Sequence, residues 1–314
     1  MKKTASLVLV VLLAISVVLN LYQISQRTSQ RAVTSAINAT SAPSVAKSQY
    51  SLLSTQIQTE SENDLLVRFI DLRQKLRDYV TPFGDNFSFY FEYLPTGENI
   101  GVNDRVEFDP ASLLKVPLAI AYYNNIEDSG TSLNQIATIQ QQDIDNRFGD
   151  LWKKGVGAQL SLDDVVKIML TDSDNTAALI LTRYVPEKAY EDVYNGLDIT
   201  YVGDKKFKIT TKGYSSILKS LYYSSIVNMQ HSQLILSYLT NSDFNSMLVA
   251  GVPSNVTVAH KIGVIDNTDN HDCGIVYIPK RPYILCMFSK ANTADSSDRM
   301  KAVSKIVYDY VSSQ

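Results

Sequence analysis

The chain has little with which to hold a metal. Its 314 residues include 3 His and 2 Cys, and no two cysteines stand at the Cys-x-x-Cys spacing of zinc and redox sites. Neither metal nor cofactor chemistry is expected. An excess of one charge is also missing: 29 Lys and Arg against 32 Asp and Glu leave a net charge of -3. Such a balance sets up no field that would favour nucleic acid or an anionic surface, so no nucleic-acid partner is expected. Internal repeats are absent too. What is present is 45% hydrophobic residues over a length sufficient for one large domain or two small ones.

One apolar run stands apart from the rest. Lys2 and Lys3 precede an uncharged segment, residues 4–26, dense in Leu, Val, Ile and Ala. A helix needs about 20 apolar residues to span a bilayer, whereas the apolar part of a signal peptide is about 7–15. The run matches the longer figure, so residues 1–26 are expected to anchor the chain in the cell membrane as a single pass. Small residues at Ala32, Ser35 and Ala36 offer a cleavage site in the alternative, a secreted chain. Either way the bulk of the protein is expected outside the cytoplasm, as a monomer. Residues 27–59, rich in Ser, Thr, Gln and Ala, read as a flexible tether, and residues 60–314 as a single domain.

Within that domain strands lie at both ends and helices between them. Leu65, Phe69, Leu72, Leu76 and Tyr79 form a helical stripe, and the run 87–93 followed by Pro95-Thr96-Gly97 suggests a strand entering a turn. Ser161 and Asp164 are spaced as a helix cap ahead of Val165, Val166, Met169 and Leu170. Residues 256–265, 273–278 and 283–288 read as three strands, and 296–311 as a closing helix. This is an α+β pattern, an antiparallel sheet with a helical insertion. Cys273 and Cys286 fall on one face of the last hairpin, as buried thiols or as a cross-strand disulfide. His271 is expected in a turn, and His260 on the strand face turned away from Lys261.

The chemistry gathers in three short patterns. Ser112-Leu113-Leu114-Lys115 follows Asp109-Pro110, a pair that opens helices, so the serine is expected in a first helical turn, where free N–H groups favour developing negative charge. One turn on, the Lys115 amine can reach the serine hydroxyl. To act as its base the amine must be partly neutral near pH 7, which requires burial or a neighbouring cation such as Lys261. Ser173-Asp174-Asn175 ends a helix, and Lys261-Ile262-Gly263 lies within a strand. Ser-x-x-Lys alone says little, since residues 44–47 and 216–219 match it as well. The three patterns together, in this order, describe a serine that carries an acyl group.

In these patterns the chain resembles the class A β-lactamase and penicillin-binding protein superfamily, and the resemblance extends over essentially everything after the tether. It implies a sheet of about five antiparallel strands flanked by helices, a mostly helical subdomain, and a cleft between them. It implies Ser112 as nucleophile, Lys115 as its base, Ser173 as proton relay and Lys261 as electrostatic support. Asn175 and Gly263 would contact substrate, and the backbone N–H groups of Ser112 and Val264 would form the oxyanion hole. The expected substrate is a β-lactam or a peptide of peptidoglycan type. Three positions depart from the pattern. Glu191 is the last glutamate, and residues 197–211 offer only Asp198 and Asp204 where the family places a deacylating Glu. Ile262 replaces a hydroxyl residue, and Cys273 stands where many members have Arg. Acylation with slow release is therefore expected. A non-catalytic module that binds wall fragments or senses penicillins on the same fold is the alternative.

Overall fold

A computed structural model of the chain describes residues 50–54, 69–129, 135–200 and 207–314. The expected anchor and most of the expected tether lie outside these residues. Among the described residues no helix is long and apolar enough to cross a membrane.

The sheet begins with β1 (Phe87–Tyr93) and β2 (Glu98–Val102) and is completed by β5 (Thr257–Ile265), β6 (Asp269–Tyr277) and β7 (Tyr283–Lys290). Its order is β2-β1-β7-β6-β5, antiparallel throughout. A short pair, β3 (Ile136–Thr138) and β4 (Gln159–Ser161), stands apart. Every residue of β1 is buried, which needs cover on both faces. Phe87, Phe89, Phe91 and Tyr93 pack with Leu72 and Leu76 of α1 (Ile70–Val80) and with Val303 and Val307 of α8 (Thr293–Ser312). The alternate residues meet α6 (Thr211–Tyr223) on the other side. There the hydroxyls of Ser88 and Thr211 lie 2.8 Å apart, and Lys219 pairs with the buried Glu92 at 2.7 Å. Burying a carboxylate in a central strand is costly without such a partner.

The second core surrounds α2 (Lys115–Ser129), whose Val116, Ala119, Ile120 and Tyr123 are buried. Around it stand α3 (Leu162–Thr171), α4 (Asn175–Thr182), α5 (Glu187–Asn195) and α7 (Met229–Leu239). The start of α3 follows the expected cap: the Asp164 N–H donates to the Ser161 hydroxyl, which donates in turn to the Asp164 carboxylate. Cys273 and Cys286 are directly opposite across β6 and β7, buried as free thiols. Leu53 is also buried, and the Ser54 N–H donates to the Tyr222 carbonyl at 2.8 Å. Residues 50–54, read from sequence as part of the tether, thus pack on α6.

His271 departs from expectation. It is not in a turn but within β6, fully buried, with Phe108 and Phe288 against its ring. Burial holds its pKa down at about 4, so the ring is neutral, and its Nε2–H donates to the Asp109 carbonyl at 2.8 Å. Asp109 leads into the turn that carries Ser112.

Candidate active site

Ser112 sits in a 3-10 turn, Ala111–Leu114, that runs straight into α2. The Asp109 carboxylate accepts from the Ala111 N–H at 3.1 Å, and Ala111 takes a left-handed φ of 50°. The α-helix therefore opens at Lys115, one turn later than the Asp-Pro pair suggests. The edge strand β5 closes against this turn at Gly263. A Cβ there would stand 2.8 Å from the Pro110 carbonyl oxygen, closer than real contacts permit, and a tight 3.1 Å from Leu113 Cγ, so glycine suits the approach.

The middle pattern bridges two helices. Ser173 lies between α3 and α4 with φ 57°, a conformation that costs a non-glycine residue about 1–3 kcal/mol. Its surroundings offset that cost: Lys115 Nζ donates to its carbonyl at 2.6 Å and Lys261 Nζ to its hydroxyl at 2.7 Å. Asp174 caps α4. It is wholly buried, and its two oxygens accept from the N–H groups of Ala177 and Leu151, each at 2.8 Å. Gly149 (φ 82°) lies so close that a Cβ would reach 2.1 Å from an Asp174 oxygen.

Lys115 is the hub of the site. Besides Ser173 it reaches Ser112 Oγ at 2.9 Å and Asn175 Oδ1 at 2.8 Å. Ser173 Oγ stands 3.4 Å off as a fourth acceptor, so the three protons of an ammonium are fully taken up. When the amine is neutral, one bond must reverse, with the Ser112 O–H donating to the freed lone pair. Burial pulls the Lys115 pKa down to about 8, the Arg147 charge helps slightly, and the Asp174 and Asp145 carboxylates resist. Lys261 is more deeply enclosed. Burial first, and the Lys115 charge second, push it well below the ordinary lysine range, while Asp272 opposes. Its two bonds, to Ser173 Oγ and to the Ile262 carbonyl at 3.0 Å, are the two that a neutral amine can donate. The charge relation thus runs mainly from Lys115 to Lys261, and of the two expected causes it is burial that lowers Lys115.

Ser112, Lys115, Ser173, Asn175 and Val264 all line one cleft of about 900 Å³. Lys261 and Gly263 lie just behind its β5 wall. Cys273 and His260 do not line it. His260 is buried against Asp272, Nδ1 to Oδ1 at 2.9 Å, and Asp272 also accepts from the Leu248 N–H. Sequence reasoning passed over several residues that shape the cleft: Arg147, Glu187, Tyr190 and Asp266 line it. Nothing local in the sequence points to them. Tyr190, one turn after Glu187 on α5, donates to the Leu114 carbonyl at 3.4 Å.

Two buried lysines share one serine hydroxyl, beside a second serine at the mouth of a helix whose oxygen is within reach of an amine, the arrangement that serine hydrolase chemistry requires. The protein's fold and sequence have known counterparts. The beta-lactamase enzyme family model matches residues 71–311, and the chain belongs to that family. Beta-lactamase 3 of Bacillus cereus is 23% identical over 211 residues, 62% of this chain and 65% of that enzyme's length. A beta-lactamase of Bacteroides uniformis is 24% identical over 246 residues, 68% of this chain and 82% of that one. Among solved structures, PBP-A superposes with a TM-score of 0.71 at 22% identity, covering 78% of this chain and 97% of its own. The beta-lactamase from Sphaerobacter thermophilus gives a TM-score of 0.70 at 17% identity, with 79% and 99% covered. A variant of PBP-A has been solved as an acyl-enzyme complex with penicillin G.

Proposed function

We propose that the protein is a serine hydrolase that forms an acyl-enzyme on Ser112 from β-lactam or cell-wall peptide amides and releases it slowly. The observation that carries this is the Lys115 amine, 2.9 Å from Ser112 Oγ and 3.4 Å from Ser173 Oγ. In its neutral form Lys115 takes the Ser112 proton as Oγ attacks the carbonyl carbon. The N–H groups of Ser112 and Val264 receive the oxyanion, and Asn175 holds the substrate amide. Ser173 passes a proton to the leaving nitrogen and is recharged along its contacts to the two lysines. Lys261, its pKa drawn down by burial, donates to Ser173 Oγ at 2.7 Å and keeps that hydroxyl turned toward the cleft. The penicillin acyl-enzyme of the PBP-A variant supports the same chemistry here.

Slow release rests on what faces the ester. No glutamate follows Glu191, and Glu187, on the cleft wall, is exposed at the start of α5. An N-terminal segment that anchors the chain would put this cleft outside the cytoplasm, where wall peptides are. The test is turnover of a chromogenic β-lactam by the full chain. The expected trace is a burst of about one equivalent, then a slow steady rate, both lost in Ser112→Ala. Unchanged turnover in that variant refutes the assignment, and a linear trace without a burst refutes slow release.

A further inference from the structure

A second pocket, of about 360 Å³, shares no lining residue with the Ser112 cleft. It lies between the segment that follows α7 and the residues that lead into β5. Its rim is exposed and polar, with Asn245, Ser254, Asn255 and Thr257. Two further lining residues, Ser242 and His260, are buried. Among the described residues no Lys, Arg, Asp or Glu lines it, and most of the remaining wall is valine.

Each of the two buried residues holds a polar atom that nothing satisfies. Ser242 Oγ and His260 Nε2 are enclosed and have no hydrogen-bond partner among the described residues. Such atoms are costly and few in native structures, and two on one pocket mark a place that receives polar groups. The histidine is also fixed in orientation. Its Nδ1 stands 2.9 Å from Asp272 Oδ1, and the other Asp272 oxygen accepts from the Leu248 N–H at 3.0 Å. With both carboxylate oxygens serving as acceptors, Nδ1 carries the proton, and Nε2 is left for a ligand. Both orphaned atoms lie under the exposed rim, whose side chains change rotamer freely and so can admit a ligand to them.

Charge decides the class of that ligand. An anion would find no cation on the wall, and Asp272 offsets any charge on the imidazole. A cation would find no carboxylate. A hydroxyl suits both buried atoms, because it can donate to the Nε2 lone pair or accept from Nε2–H, and can do either with Ser242 Oγ. The rim amides and hydroxyls serve further polar groups, and the valines lie against C–H. The volume falls at the lower end of the range of about 300–1,000 Å³ for small-molecule sites, room for a single ring. We propose that this pocket binds an uncharged polyhydroxylated ring, a sugar unit, with His260 and Ser242 at its floor. The site is separate from the Ser112 cleft and does not depend on the acyl-enzyme reading.

The test follows the 3 histidine rings of the full chain, isotope-labelled at histidine, by NMR as N-acetylglucosamine or its linear trimer is added. The His260 signal is recognised by its Nδ1–H tautomer, which His271 lacks, and by its persistence in His231→Gln. We expect its Nε2 resonance to shift and saturate at about millimolar sugar, with His231 and His271 unmoved. Ser242→Ala leaves the His260–Asp272 pair in place and should weaken binding about fivefold or more. Ser112→Ala should bind as the wild type does. Inorganic phosphate and ethanolamine, the charged controls, should leave the signal where it is. No shift with either sugar, the result for a pocket that holds water only, overturns the proposal. So does a shift of equal affinity in Ser242→Ala, or one that phosphate or ethanolamine reproduces. A trimer that binds more tightly than the monomer supports the site and identifies a polymer chain as the source; equal or weaker binding of the trimer supports it with a free or terminal sugar as the source.

Discussion

Lys115 can accept the Ser112 proton only while its amine is neutral, and burial holds its pKa at about 8. At pH 7 about one amine in ten is neutral; at pH 9 about nine in ten are. The rate constant for acylation should therefore rise about tenfold over that interval and level off above it. The same shift has a signature in stability. An unfolded lysine titrates near 10.5. Below about pH 8 the amine is protonated in both states, and the folded protein bears the cost of a buried ammonium. Between about pH 8 and 10.5 the unfolded chain holds the extra proton, so stability rises with pH across that window. The full difference is about 3 kcal/mol, from a shift of about 2.5 pKa units at 1.36 kcal/mol each. By about pH 9.5 some 2 kcal/mol of it should be recovered. The assays are stopped-flow acylation by a chromogenic β-lactam from about pH 6.5 to 9.5, and urea unfolding of the wild type and Lys115→Met at both ends of that range. An acylation rate that is flat or falls with pH, or a Lys115→Met protein that gains as much stability with pH as the wild type, refutes the role of the buried amine.

Other substitutions probe the scaffold. Gly263→Ala places a methyl group 2.8 Å from the Pro110 carbonyl oxygen and must push β5 away from the Ser112 turn. We expect kcat/KM to fall about 100-fold with little change in far-UV circular dichroism; a loss under threefold would show that the contact is soft. Asp174→Ala removes a helix cap and strands a second buried N–H, costing about 2–4 kcal/mol in urea unfolding. Asp174→Asn, which keeps one acceptor oxygen, should cost about half as much, and equal losses in the two variants would contradict the two-bond account.

Much of this architecture was legible because it is local. The Ser161 cap, the strand 87–93 and the closing helix follow from spacing and periodicity that need no partner. Ser112 and Lys115 are joined by a single turn, so their contact is legible as well. What the sequence could not provide is the company each element keeps. The burial of β1 on both faces depends on α1, α8 and α6, which come from distant stretches of chain. His271 reads as a turn residue among polar neighbours, yet pairing with β7 draws it into the interior, where it holds Asp109. The depth of Lys261, which decides whether it is charged, is a property of the assembled cleft. Glu187 and Asp266 lie about 80 residues apart, and only the fold shows that both line one cleft.

The most direct test of the central claim is covalent. Incubating the full chain with a penicillin, then measuring its intact mass, should show the mass of one penicillin added, persisting for minutes or longer, with the adduct mapped by peptide fragmentation to Ser112. No adduct across pH 7 to 9, or an adduct on another residue that survives in Ser112→Ala, would contradict it.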